Sequence, residues 1–169
     1  MPNAFASLML VLWPAVSVWL FVRLEPGRAL VVSLLAAYLI LPPPPAGFDF
    51  PLMPPLTKDT IPSFVAVLAV LVLHRGKLRL LPENPLARAL VILFVLSPLF
   101  TVLTNMDPVY FGEFALPALR LREAVALMVQ QALVVSPMLL ARNFLRSESD
   151  LRTLLWALFI GGMIYTLPI

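Results

Sequence analysis

Arg120, Arg122, Glu123, Gln130 and Gln131 are the side chains of this sequence with the most evident chemical reach. On a helix of about 3.6 residues per turn, Arg120, Glu123, Gln130 and Gln131 fall within a wedge of roughly 100°. Together they form a polar stripe that starts at one end of an apolar segment and runs toward its middle. Intramembrane polar groups are costly and face the protein interior or a water-filled path. A guanidinium matches phosphate oxygens in a bidentate way, so Arg120 and Arg122 are candidate contacts for a lipid-linked phosphate or pyrophosphate. The structural alternative pairs Arg120 with Glu123 at i,i+3, while the two glutamines hydrogen-bond to neighbouring helices.

Other groups are less marked. Asp107, Glu113 and Glu123 are the carboxylates near this stripe, and a carboxylate would be the general base in glycosyl transfer. Nothing in the spacing singles one out. Asp49, Lys58 and Asp59 sit in a proline-rich connection. The one histidine, His74, stands beside Arg75 and Lys77 and reads as an interfacial anchor. With no cysteine and no histidine cluster, no metal site and no cofactor are expected. Phosphate-binding glycine loops, HExxH and GxSxG are absent from the sequence, which gives ATP hydrolysis, zinc proteolysis and serine hydrolysis no support.

The elements that position these groups follow from composition. Of the residues, 61% are hydrophobic and 12% charged, and the mean hydropathy is +0.96. Soluble domains average about 25% charged residues. This sequence cannot cover a water-facing surface, and a bilayer removes that need. The expected fold is all-α: a polytopic transmembrane bundle of about six apolar helices in a single domain over 1–169. The segments are Phe5–Val22, Ala29–Leu41, Ile61–Leu73, Leu86–Leu103, Glu123–Ala141 and Thr153–Ile169. The second and third are short for a bilayer of about 30 Å, so they either lengthen at their flanks or form a shallow re-entrant pair. Pro26 is placed to start the second, and Asp59-Thr60 to cap the third with Pro62 in its first turn.

Phe5–Val22 reads as a retained first span and not a secretory signal, because no basic residue precedes it and no small-residue cleavage site follows. Ser97-Pro98 and Ser136-Pro137 are expected kinks, where a serine helps satisfy the carbonyl that proline frees. Pro42–Thr60 should be a stiff connector whose Phe48, Phe50 and Leu52 pack on the interface or on helix ends. The apolar ending, Tyr165 to Ile169, leads to the expectation that this is the N-terminal portion of a longer protein.

The net charge of +3 and pI near 9.8 do not indicate nucleic acid, because the basic residues lie at the ends of apolar runs. Arg23, Arg28, Arg75, Lys77, Arg79, Arg88, Arg142, Arg146 and Arg152 fall in alternate connections, against Lys58, Arg120 and Arg122 in the others. Positive residues favour the cytoplasm. The regions around 23–28, 75–88 and 142–152 are therefore expected inside, and 42–60 and 104–122 outside, in a bacterial inner membrane.

The stretches LPPPPAGFDFPLMPPLTKDTIP (41–62), VILFVLSPLFTVLTNMDPVYFG (91–112) and LPALRLREAVALMVQQAL (116–133) resemble the N-terminal half of the bacterial O-antigen ligase and polymerase family. That resemblance implies a membrane-embedded part of an envelope polysaccharide polymerase or ligase acting on an undecaprenyl-linked glycan donor. The family's large catalytic loop, with its Arg and His residues, has no counterpart here, so the resemblance carries over no catalytic residue and implies a fragment inactive alone. Membrane lipids and an undecaprenyl-linked oligosaccharide are the expected partners. A transporter or permease subunit and a non-catalytic membrane scaffold stand as the alternatives.

Overall fold

The computed structural model describes residues 4–50, 53–74, 79–112 and 114–166. Among the described residues there are six helices, α1 (Ala4–Arg23), α2 (Pro26–Ile40), α3 (Ile61–Leu73), α4 (Pro85–Thr104), α5 (Leu121–Phe144) and α6 (Glu148–Thr166), and one hairpin, β1 (Val109–Phe111) with β2 (Phe114–Leu116). Three helices, α1, α4 and α5, are long and apolar enough to cross a membrane. With large apolar side chains such as Phe5, Leu86 and Val134 facing outward, these helices mark the chain as a membrane protein. The expected set of six apolar spans is thus narrowed. The helices α2 and α3 are short, with 15 and 13 residues. The helix α6 begins at Glu148, five residues before the expected Thr153, so Glu148, Asp150 and Arg152 lie within it.

Helix boundaries follow local chemistry. Pro26 opens α2, where a missing N–H costs nothing, and it holds Glu25 in extended backbone. Pro42 to Pro45 stop α2, since proline cannot supply the next helical donor. Asn84 caps α4 by accepting from the N–H groups of Leu86 (2.9 Å) and Ala87 (3.2 Å). Thr60 stands at the start of α3 without capping it. Its hydroxyl donates to the Pro55 carbonyl at 2.7 Å and accepts from Thr57 N–H at 2.9 Å, which fixes the turn before the helix. The two Ser-Pro sites behave as their chemistry requires. Pro98 and Pro137 cannot donate to the carbonyls of Phe94 and Leu133, and the preceding serine hydroxyls donate to them instead, at 2.8 and 2.9 Å.

The short helices are the central ones. Helix α2 packs against α1, α3, α5 and α6, whereas α4 packs on α5 and α6 on α2. Small residues line the α1–α2–α3 crossing: Ser17, Ala29, Ser33, Ala37, Ser63, Ala66 and Ala69 are all buried. Close backbone approach through such residues is how membrane helices gain packing energy without a hydrophobic drive. Ser17 and Ser33 share a hydrogen bond of 2.7 Å with both residues fully buried, so neither hydroxyl is left unsatisfied.

Two apolar clusters flank that bond. Leu10, Trp13, Ala37, Leu41, Ala46, Ile61 and Val65 form one, and Phe21, Ala29, Leu30, Ala66, Ala69, Val70 and Leu140 the other. The proline-rich connection caps the first cluster. Phe48 and Leu56 exchange two backbone hydrogen bonds, 3.1 and 2.9 Å, and both pack on the cluster. Phe50 is exposed, and Leu52 lies outside the described residues.

The start of α6 carries a capping box. The Asp150 carboxylate accepts from the Ser147 hydroxyl (2.6 Å), the Ser147 N–H (2.9 Å) and the Arg146 N–H (3.1 Å), while the Ser147 hydroxyl accepts from Asp150 N–H (3.2 Å). The Ser147 hydroxyl, followed by the backbone donors, holds the Asp150 carboxyl below its ordinary pKa of 3.8. A carboxyl lowered in the folded state contributes stability that is complete above its unfolded value and is lost as pH falls through the lowered one. The unfolding midpoint of the wild-type chain should therefore fall below about pH 4, with a shallower fall in Asp150→Asn. Parallel pH profiles for the two proteins would refute this.

Candidate functional site

The stripe predicted on α5 begins at a junction built by backbone bonds. The end of α4 is closed by Asn105, whose amide donates to the Thr101 carbonyl at 2.8 Å. The Asn105 carbonyl accepts from Leu119 N–H at 3.2 Å, bringing the segment before α5 back to the end of α4. The excursion between them is the β hairpin, with pairs Val109 to Leu116, Tyr110 to Ala115 and Phe111 to Phe114. Gly112 sits at φ +60°, the backbone that a two-residue hairpin turn demands at its first position. Tyr110, Phe111 and Phe114 are 71%, 62% and 81% exposed. A row of outward aromatics beside the ends of apolar helices suits the membrane–water interface, where such rings concentrate.

At the start of α5, Arg120 N–H donates to the Glu123 carboxylate at 2.8 Å, and Glu123 N–H donates to the Arg120 carbonyl at 2.8 Å. The i,i+3 relation therefore serves as a helix cap, not as an ion pair. The Glu123 carboxylate is spent on backbone, and the Arg120 guanidinium is left exposed. Arg122 is exposed as well, and neither guanidinium has a partner among the described residues. Two free cations at a helix N-terminus, whose own dipole is positive there, make a local field that attracts anions.

The rest of the stripe is looser. Gln130 is exposed and Gln131 half-buried, and neither hydrogen-bonds to a neighbouring helix among the described residues. Asp107 is exposed in the connection before the hairpin, and Glu113 lies outside the described residues. Asp49 and Asp59 are exposed at the proline-rich cap.

The opposite end holds a feature that sequence reasoning missed. Asn143, 9% exposed near the end of α5, brackets the backbone of Arg79: its carbonyl accepts from Arg79 N–H (3.0 Å) and its amide donates to the Arg79 carbonyl (3.0 Å). That amide also donates to the Leu139 carbonyl at 2.7 Å. One Arg142 nitrogen donates to the carbonyls of Arg79 and Leu81, each at 2.8 Å. His74 meets Phe144 edge-on, with ring centroids 6.4 Å apart. Gly27 at the start of α2 lies against the Phe144 carbonyl. The connections around 23–28, 79–85 and 142–152 thus meet at one end of the bundle, and the hairpin and proline-rich cap adjoin the other helix ends. Arg142 reads from sequence as a charge that sets topology, but in the fold it is also a structural donor.

No protein-family model, no curated protein and no solved structure matches this chain.

Proposed function

We propose that this chain is the membrane-embedded part of an envelope polysaccharide polymerase or ligase, and that Arg120 and Arg122 grip the pyrophosphate of an undecaprenyl-linked glycan. The observation that carries the reading is the pair of unpartnered guanidiniums at the start of α5, next to a carboxylate already occupied as a cap. A pyrophosphate at the interface would meet both cations, the free N–H groups of the first helical turn and the aromatic hairpin. The lipid tail would run into the bilayer beside α4 and α5. Basic residues crowd the other end of the bundle, which orients the Arg120 end toward the periplasm under the positive-inside rule. The chain supplies grip and position, and the bond-making groups belong to segments beyond those that resemble the family.

The exposure of Gln130, about ten residues or 15 Å into α5, favours a second reading. An amide at that depth needs a partner, which further helices of a permease or a non-catalytic scaffold would supply. Binding of undecaprenyl pyrophosphate to the purified chain in mild detergent separates the two. A cation at the membrane surface contributes about 1 kcal/mol, so Arg120→Gln with Arg122→Gln should weaken binding roughly thirtyfold. Equal affinity of the wild type and the double variant would sink the polymerase or ligase reading.

A further inference from the structure

Helix α6 leans on α2 and buries none of its own residues. Between the two helices runs a furrow of about 660 Å³, lined by apolar side chains along its length and by Arg28 and Arg152 at one end. The volume falls within the range of about 300–1,000 Å³ that holds small-molecule ligands. Small residues keep it open: Ala157 and Gly161 line the α6 side, and a Cβ on Gly161 would come within 3.2 Å of the Leu39 methyl. From Arg28 to Leu39 the furrow follows eleven residues of α2, about 16 Å at 1.5 Å per residue. That is half of a hydrocarbon core of about 30 Å, the depth of one leaflet.

A second, shallower furrow of about 280 Å³ starts from the same Arg152 and passes Leu155, Trp156 and Phe159. Two apolar tracks therefore leave one basic mouth, on either side of the Trp156 indole. The lining of both tracks includes two guanidiniums and no carboxylate. Arg152 has no partner among the described residues. Arg28 has Glu25 at 3.9 Å, with both side chains largely exposed, a contact too loose to neutralise it. The nearby Asp150 carboxylate is hydrogen-bonded by Ser147 and the Arg146 N–H, and its attraction for Arg28 is the smallest of the influences on it.

We propose that the α2–α6 furrow is a binding site for one anionic phospholipid, with its phosphate between Arg28 and Arg152 and its two acyl chains on the two sides of Trp156. A single-chain polyprenyl phosphate would leave the second track empty, and a zwitterionic lipid would gain less from a furrow whose lining carries two guanidiniums and no carboxylate. The site lies at the opposite end of the helices from Arg120, so it stands or falls independently of the polymerase or ligase reading.

Native mass spectrometry of the full chain in mild detergent tests this, with phosphatidylglycerol and phosphatidylcholine offered at equal concentration. One phosphatidylglycerol should be retained per chain, preferred about tenfold over phosphatidylcholine. Arg28→Gln with Arg152→Gln should erase the preference, and Ala157→Phe, which fills the furrow, should lower retention of both lipids. The wild-type competition does not depend on whether any variant folds. Equal retention of the two lipids by the wild type would overturn the proposal, as would a preference that survives loss of both arginines. A dimer that excludes lipid from the furrow would also overturn it, by showing a second copy as the occupant.

Discussion

Asn143→Ala should lower the unfolding stability of the detergent-solubilised chain by about 2–4 kcal/mol. Three hydrogen bonds are lost together, two to the backbone of Arg79 and one to the Leu139 carbonyl. A typical intramolecular bond contributes about 0.5–1.5 kcal/mol net, and an orphaned buried group adds its desolvation cost. Asn143 is almost fully enclosed, so water does not replace the missing amide at once. The loss is not evenly shared. The Arg79 carbonyl keeps the Arg142 guanidinium, whereas the Arg79 N–H loses its acceptor. Arg142→Ala should cost less, because its bonds are exposed. Denaturant titration followed by tryptophan fluorescence reads the midpoints, and protease cleavage near 79–81 should quicken in Asn143→Ala. An unchanged midpoint together with unchanged cleavage would mean that the bracket does not hold this connection.

Asn143 also shows where sequence reading stopped. The helices were legible because long apolar runs ended by proline, asparagine or charge leave few alternatives. Segment Ile61–Leu73 appears with the same ends in the structure. A carboxamide that pairs with backbone 64 residues away carries no local signal, since its partner is set by how α3, α4 and α5 pack. The hairpin was missed for a different reason. Strands of three residues are too short for alternation to register, and Gly112 alone did not mark the turn. The early start of α6 was readable in principle: Ser147 and Asp150 have the spacing of a capping box, but the count of apolar residues passed over the charged turn that follows.

Centrality was hidden as well. A spanning helix is recognised first by its length, so α2 and α3 look weakest, although α3 is the most apolar of the six per residue. Their small residues let them sit in the middle, where the neighbours' side chains supply the contacts. Of the proposed site, Arg120 and Arg122 were legible as free cations only in part. Pairing of Arg120 with Glu123 was the simpler expectation, and the structure gives that carboxylate to the backbone instead. A helix N-terminus has donors to satisfy, and the nearest carboxylate serves them at lower entropic cost than it serves a long exposed guanidinium.

Gly27 provides the sharper test of packing, because propensity and sterics predict opposite signs. Alanine is favoured over glycine in a helix interior by about 1 kcal/mol, so an isolated α2 would gain from Gly27→Ala. The gain is smaller here, as Gly27 follows Pro26 in the first turn. Against it stands a Cβ that would lie 2.8 Å from the Phe144 carbonyl oxygen and 3.2 Å from a Leu145 methyl. The methyl can turn aside. The carbonyl belongs to the last turn of α5, and it can yield only if α2 and α5 move apart. Overpacking of this kind costs about 1–3 kcal/mol, which exceeds the propensity gain. Gly27→Ala should therefore be destabilising by about 1–2 kcal/mol, and Gly27→Val by more, since its branched side chain adds volume and loses rotamer freedom in a helix. Denaturant midpoints of the three proteins decide the matter. A midpoint for Gly27→Ala above that of the wild type would show that α2 and α5 are not held this close. The end of the bundle where Arg28, Arg142 and Arg152 gather would then be loosely packed, with room between α2 and the last turn of α5 for a methyl group.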